Sequence, residues 1–171
     1  MKKIRLGIIF ILFCFVCVLG YQFFFAPVGN TVESRQAQLN KSIAKGESWT
    51  IVKELTVEDT IISAASSTDG KAALAIFEPV SNRGYQFVSS TNRNQNEIII
   101  SGASIQGNWY DLIWFNGAQT DHAQINYTIN DTPQKPLLFH TNDMDIICIQ
   151  NKEKEYTLSV TYYDQDGNAY T

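Results

Sequence analysis

The sequence predicts an all-β fold: an antiparallel β-sandwich of about nine or ten strands, behind an N-terminal transmembrane helix and a short stalk helix. Three observations predict it. From Gly46 onward, apolar residues recur with a period of two in short β-branched and aromatic runs. Turn-forming residues punctuate those runs, and nothing between them reads as a helical crossover between parallel strands. Ahead of them, a basic tip precedes a long uncharged run.

That first segment sets the expected location. Lys2, Lys3 and Arg5 precede 21 uncharged residues, Leu6 to Ala26, before Pro27 and Gly29 interrupt. A helix of that length spans about 31 Å, close to the roughly 30 Å of a bilayer's hydrocarbon core. A cleaved signal peptide would need a shorter apolar stretch, such as Leu6 to Leu19. Because the apolar run continues through Tyr21 to Ala26, an uncleaved signal anchor over residues 1–26 is the expectation. Basic residues before the span place the N-terminus in the cytoplasm and the remainder outside the cell membrane.

Beyond Ala26, 10 Lys and Arg face 17 Asp and Glu, a net charge of −7. Such a balance disfavours nucleic acid as a partner. Cys148 is the one cysteine in that part, so an internal disulfide is excluded and the exported domain must rely on its core.

Residues 27–46 read as a partly helical stalk. Asn30 can cap a first turn with Glu33 three residues on, and Gly46 suits the C-terminal end. Val32, Leu39 and Ile43 form too thin a stripe for a coiled-coil seam. Residues 47–171 form the predicted domain, with strands near 49–56, 60–67, 71–78, 84–91, 97–105, 108–116, 123–129, 136–140, 144–150 and 155–163. "TDG", "QGN" and "DQDGN" supply the Gly, Asn and Asp that tight turns need, and "NDTPQKP" reads as a longer connection. So many strands call for two packed sheets or a closed barrel.

The C-terminal stretch "EYTLSVTYYDQDGNAY" resembles the last strand of bacterial immunoglobulin-like ectodomains. "STNRNQNEIIISG", "WYDLIWFNGAQT" and "MDIICI" resemble segments of small single-span surface proteins of Gram-positive bacteria, whose function is unassigned. The resemblance implies an immunoglobulin-like sandwich on the cell surface and carries no catalytic residue with it.

No catalytic, cofactor or metal motif stands out. His140, Asp143 and Asp145 form the densest potential ligand cluster and read as a polar turn. "DQDGN" lacks the ligand spacing of a calcium loop. A sortase-like layout would use Cys148 with a histidine, yet no Arg follows Arg93 and isoleucines surround the thiol. No G-x-S-x-G elbow or phosphate loop is present, and Asp111 could be one carboxylate of a glycosidase pair but has no partner the sequence names.

The most suggestive stretch is "GNWYDLIWFNG". Alternation puts Trp109, Asp111, Ile113 and Phe115 on one face and Tyr110, Leu112, Trp114 and Asn116 on the other. Neither face is polar, so the strand is either covered on both sides or carries an open aromatic patch. The expectation places Trp109, Ile113 and Phe115 in the core and leaves Tyr110 and Trp114 as the candidate binding residues. Together these readings describe a binding or accessory module without cofactor. Its partner would be an envelope protein or, through exposed aromatics, a wall polymer.

Overall fold

The computed structural model describes residues 14–17, 28–43, 46–81, 84–94, 97–115, 121–140, 145–151 and 156–170. Most of the predicted anchor lies outside them; residues 14–17 are helical and exposed. Among the described residues no helix is long and apolar enough to cross a membrane.

Helix α1 (Val32–Ser42) is followed by β1 (Trp49–Val57), β2 (Thr60–Ser67), β3 (Lys71–Pro79), β4 (Tyr85–Asn94), β5 (Ile99–Ile105), β6 (Asn108–Trp114) and β7 (His122–Ile129). Then come β8 (Thr132–Pro133), β9 (Leu137–His140), β10 (Ile147–Asn151), β11 (Tyr156–Tyr163) and β12 (Ala169–Tyr170). All the strand pairs are antiparallel. They build a front sheet ordered β1-β2-β3-β4, a middle sheet ordered β10-β6-β5, and a back sheet ordered β12-β11-β7-β8 with β9 also on β7. The consecutive order of the front sheet differs from an immunoglobulin domain, where each sheet mixes strands distant in sequence.

Three sheets stack where two were expected, because two sets of strands lack a polar face. In β2 and β3, Ile62, Ala64, Ala72, Leu74 and Ile76 pack onto the middle sheet. Their opposite side, Ile61, Ala65, Ala73, Ala75 and Phe77, packs with Trp49 and with Leu39 and Ile43 of the α1 segment. In the middle sheet, Ile99, Tyr110, Leu112 and Trp114 face the front sheet. Ile113 and Phe115 face Ala123, Ile125 and Tyr127 of the back sheet. Burying apolar area at about 25 cal/mol per Å² on both sides of two sheets supplies a core that needs no disulfide.

Helix α1 belongs to this core and is not a spacer. Thr31 caps it and exchanges hydrogen bonds with Ser34 (3.2 and 3.1 Å), one residue later than the Asn30–Glu33 box expected. Asn30 instead packs its side chain against Gly84. The helix also ends earlier, at Ser42, because Ile43 turns extended and enters the core. Its amide side chains take up backbone groups at both front-sheet edges. Asn40 accepts from Trp49 N (2.7 Å), Gln36 from Ile51 N (3.1 Å) and Gln38 from Phe87 N (2.9 Å). Covering exposed strand edges in this way suppresses pairing with other chains.

Bulges guard the same two edges. The β1–β2 register slips between Ile51 and Lys53, leaving Val52 unpaired and 52% exposed. Across β3–β4, Ile76 pairs with Ser89 and Phe77 with Phe87, which leaves Val88 unpaired and 50% exposed. The first bulge reverses the alternation of β1. Glu54 therefore points to the same side as Ile51, where it meets Arg35. Gln106 (φ 48°) and Gly107 (φ 80°) close the β5–β6 hairpin as predicted. The segment read as a long connection starts with another tight turn, Asn130 (φ 47°) and Asp131 (φ 59°), after which Thr132 and Pro133 pair back onto β7.

Candidate functional site

The aromatic strand β6 lies buried in the middle layer, with Ile113 and Phe115 in the core as expected, while the expectation is reversed for Tyr110, Trp114 and Trp109. Tyr110 is 7% exposed and Trp114 1%, so neither can touch a partner. Trp109, placed in the core by the sequence, is 47% exposed. The reason lies in β5. Gly102 leaves space for the Trp109 indole, whose Cζ2 lies 2.2 Å from where a Cβ would stand. The ring lies over the glycine at one end of the strand, where the layers leave it open. Gly102→Ala is therefore expected to expel the indole from its seat. The expected cost is about 1–3 kcal/mol in urea unfolding, with a rise in tryptophan accessibility to quencher.

Behind Trp109, on the same face of β6, is Asp111, 2% exposed. A buried carboxylate needs donors. Tyr127 of β7 donates at 2.6 Å, Asn151 of β10 at 3.4 Å, and Tyr156 of β11 donates to the other oxygen. Tyr127 and Tyr156 stack in parallel, centroids 5.4 Å apart and planes 7° apart, so their hydroxyls converge on the carboxylate. Burial first, then the hydrogen bond to Asp111 and its charge, pushes the Tyr127 hydroxyl well above the usual phenol range. Tyr156 is raised chiefly by its own burial and its own hydrogen bond to Asp111, against opposing hydrogen bonds with Trp109 and Asn151. The network thus runs from the open indole to the buried acid.

A groove of about 370 Å³ opens beside this network. Ile129 of β7, Leu137 of β9 and Ile149 of β10 line it with apolar surface, while Gln134 and Gln150 offer amides and Lys135 a cation. It runs between an edge of the middle sheet and an edge of the back sheet. Among the described residues β10 pairs only with β6, in a regular register without a bulge. Among the same residues β9 pairs only with β7.

The other chemistry-bearing side chains sit elsewhere. Cys148 is half-buried against the front-facing core, and its thiol is pushed up by burial and by the Asp111 charge, which makes it a poor nucleophile at neutral pH. Ser101 pairs its hydroxyl with Thr91 (2.9 Å). In the "DQDGN" turn, Asp164 accepts from the backbone N–H groups of Asp166 (3.0 Å) and Asn168 (2.8 Å), which lowers its pKa and occupies the carboxylate. Of the "HTNDMD" residues, Asp143 lies outside the described residues, and Asp145 reaches Lys53 at 2.6 Å. His140 instead faces His122 across the β7–β9 ladder, with Asp121 beside them. The sequence carried no spacing signal for that grouping. No family model, curated protein or solved structure matches the chain.

Proposed function

We propose that the chain is a membrane-anchored, extracytoplasmic binding module that receives an extended segment of a protein partner in the groove between β9 and β10. The groove carries this reading: among the described residues, β9 and β10 each pair with one strand and flank it. An added strand gains main-chain hydrogen bonds from a free edge, and alternate side chains gain apolar contacts below it. The contrast within the molecule supports the choice of edge. The front sheet defends β1 and β4 with bulges and helix amides, whereas β10 keeps a regular register and an apolar flank. The basic tip and uncharged N-terminal run support the anchor and the orientation.

A photoreactive side chain in place of Gln150, introduced in native membranes, tests this. It is expected to yield one discrete protein adduct that a probe in place of Val88 does not give. Leu137→Arg, which puts a charge on the groove wall, should remove the adduct. Equal adducts at both positions, or an adduct indifferent to Leu137→Arg, would rule the groove out.

Trp109 favours a second reading, wall-polymer binding. Its open indole offers the stacking face that sugar recognition requires. Here Trp109→Ala would abolish retention on purified wall glycan and leave the Gln150 adduct intact.

A further inference from the structure

We propose that Asp121, His122 and His140 form a binding site for a divalent transition-metal ion of the zinc class. The antiparallel register places His122, the first residue of β7, directly opposite His140, the last residue of β9. Their ring centroids are 5.7 Å apart. Asp121 brings a carboxylate oxygen to 2.9 Å from His122 Nδ1. One ligand atom from each of the three residues lies within 4.8 Å of the others.

The surroundings hold this set in place. His122 is stacked on Tyr163 of β11, centroids 4.5 Å apart and planes 11° apart. The backbone N–H of Asp121 donates to Tyr163 O at 2.8 Å, so the same strand end fixes both ligands on the β7 side. His140 is exposed and supplies the adjustable third arm. Metal–nitrogen and metal–oxygen bonds of about 2 Å require ligand atoms roughly 3–3.5 Å apart. Rotation of the exposed His140 side chain closes the remaining distance.

The donor set selects the ion. Two imidazoles and one carboxylate suit zinc, nickel or copper, whereas calcium and magnesium want oxygen shells. Three protein ligands leave a coordination position for water or a further donor. The structural consequence falls on β9. That strand has only four residues, and its Leu137 forms a wall of the groove. A metal bridging His122 and His140 fastens its far end to β7, closing the intervening chain into a loop. This site stands independently of any partner in the groove.

The test uses the full chain in detergent micelles, stripped with a chelator and titrated with zinc chloride against a chromogenic competitor. One equivalent is expected to bind and to raise the melting temperature, and calcium and magnesium should leave it unchanged. His140→Gln and His122→Gln should each weaken zinc by about tenfold or more, since each removes one of three ligands. His140 is exposed, so its variant should melt like the parent without metal and decides the matter if His122→Gln unfolds. Cobalt should shift the imidazole resonances of both histidines, the only two in the chain. Substoichiometric zinc binding, or zinc affinity unchanged in His140→Gln, would overturn the proposal.

Discussion

Replacing Asp111 by alanine is expected to destabilise the domain by about 3–5 kcal/mol, measured by urea unfolding. The carboxylate accepts from Tyr127, Tyr156 and Asn151, which come from three different strands. Its removal takes an acceptor from two phenol hydroxyls and an amide between the middle and back sheets. Tyr156 is only half-buried and can recover some hydration, which keeps the loss from being larger. Asp111→Asn keeps the volume and one acceptor oxygen, so it should cost less. Tyr127→Phe alone should cost about 1–2 kcal/mol, and less than that in the Asp111→Ala background, because the two side chains share one bond. The same network gives a signature at alkaline pH. Tyr127 and Tyr156 hold their protons more tightly folded than unfolded. Their contribution is complete below the ordinary phenol value of about 10 and is lost as pH rises above it. Tyr127→Phe should flatten that alkaline loss.

Arg35→Ala is expected to cost about 2–4 kcal/mol. The guanidinium is 5% exposed and makes a two-pronged contact with Glu54, Nε to Oε1 at 2.8 Å and Nη2 to Oε2 at 2.5 Å. It also donates to Gly29 O at 2.6 Å. Alanine would leave Glu54 facing the helix–sheet core with Ser63 as its remaining recorded donor, at 2.7 Å. The Glu54 side chain keeps 20% exposure, so water relieves part of the cost and the upper range is not reached. Replacing both partners, Arg35→Met with Glu54→Leu, should recover much of the loss, because both desolvation costs vanish together. Burial pushes the Glu54 carboxyl up, but the hydrogen bonds from Arg35 and Ser63 and the Arg35 charge outweigh it and lower the pKa. The pair therefore stabilises above the ordinary carboxyl value of about 4.3 and loses its effect as pH falls through the lower folded value. The double variant should lose less stability in acid than the parent.

Alternation and turn residues made the strands legible. Gln106-Gly107 closes its hairpin where the sequence put a turn, and the alternation of β6 separated its two faces correctly. The number of layers was legible in principle. "IISAAS" and "AALAIF" lack a polar face as fully as β6 does, and two such sheets cannot both be outermost. What alternation could not supply was which end of β6 escapes cover. That depends on Gly102, whose place beside Trp109 follows only from the β5–β6 register. Bulges hide similarly, since an exposed Val52 or Val88 looks like a core residue until the ladder is known. The helix amides Gln36, Gln38 and Asn40 carry no local signal of their bonds, which are to strand backbones. The Asp111 partners lie 16 to 45 residues away along the chain, and His122 meets His140 only through the β7–β9 register. Such groupings are properties of pairing, which local sequence does not encode.

β6 is covered on both faces, and Trp109 is its open aromatic. Acrylamide quenching of tryptophan emission tests this directly. The folded protein is expected to show one quenchable tryptophan, and Trp109→Phe should abolish the quenching, since Trp49 is fully buried and Trp114 is 1% exposed. Substantial quenching that survives Trp109→Phe and disappears with Trp114→Phe would contradict the buried middle sheet and return the binding surface to the opposite face of β6.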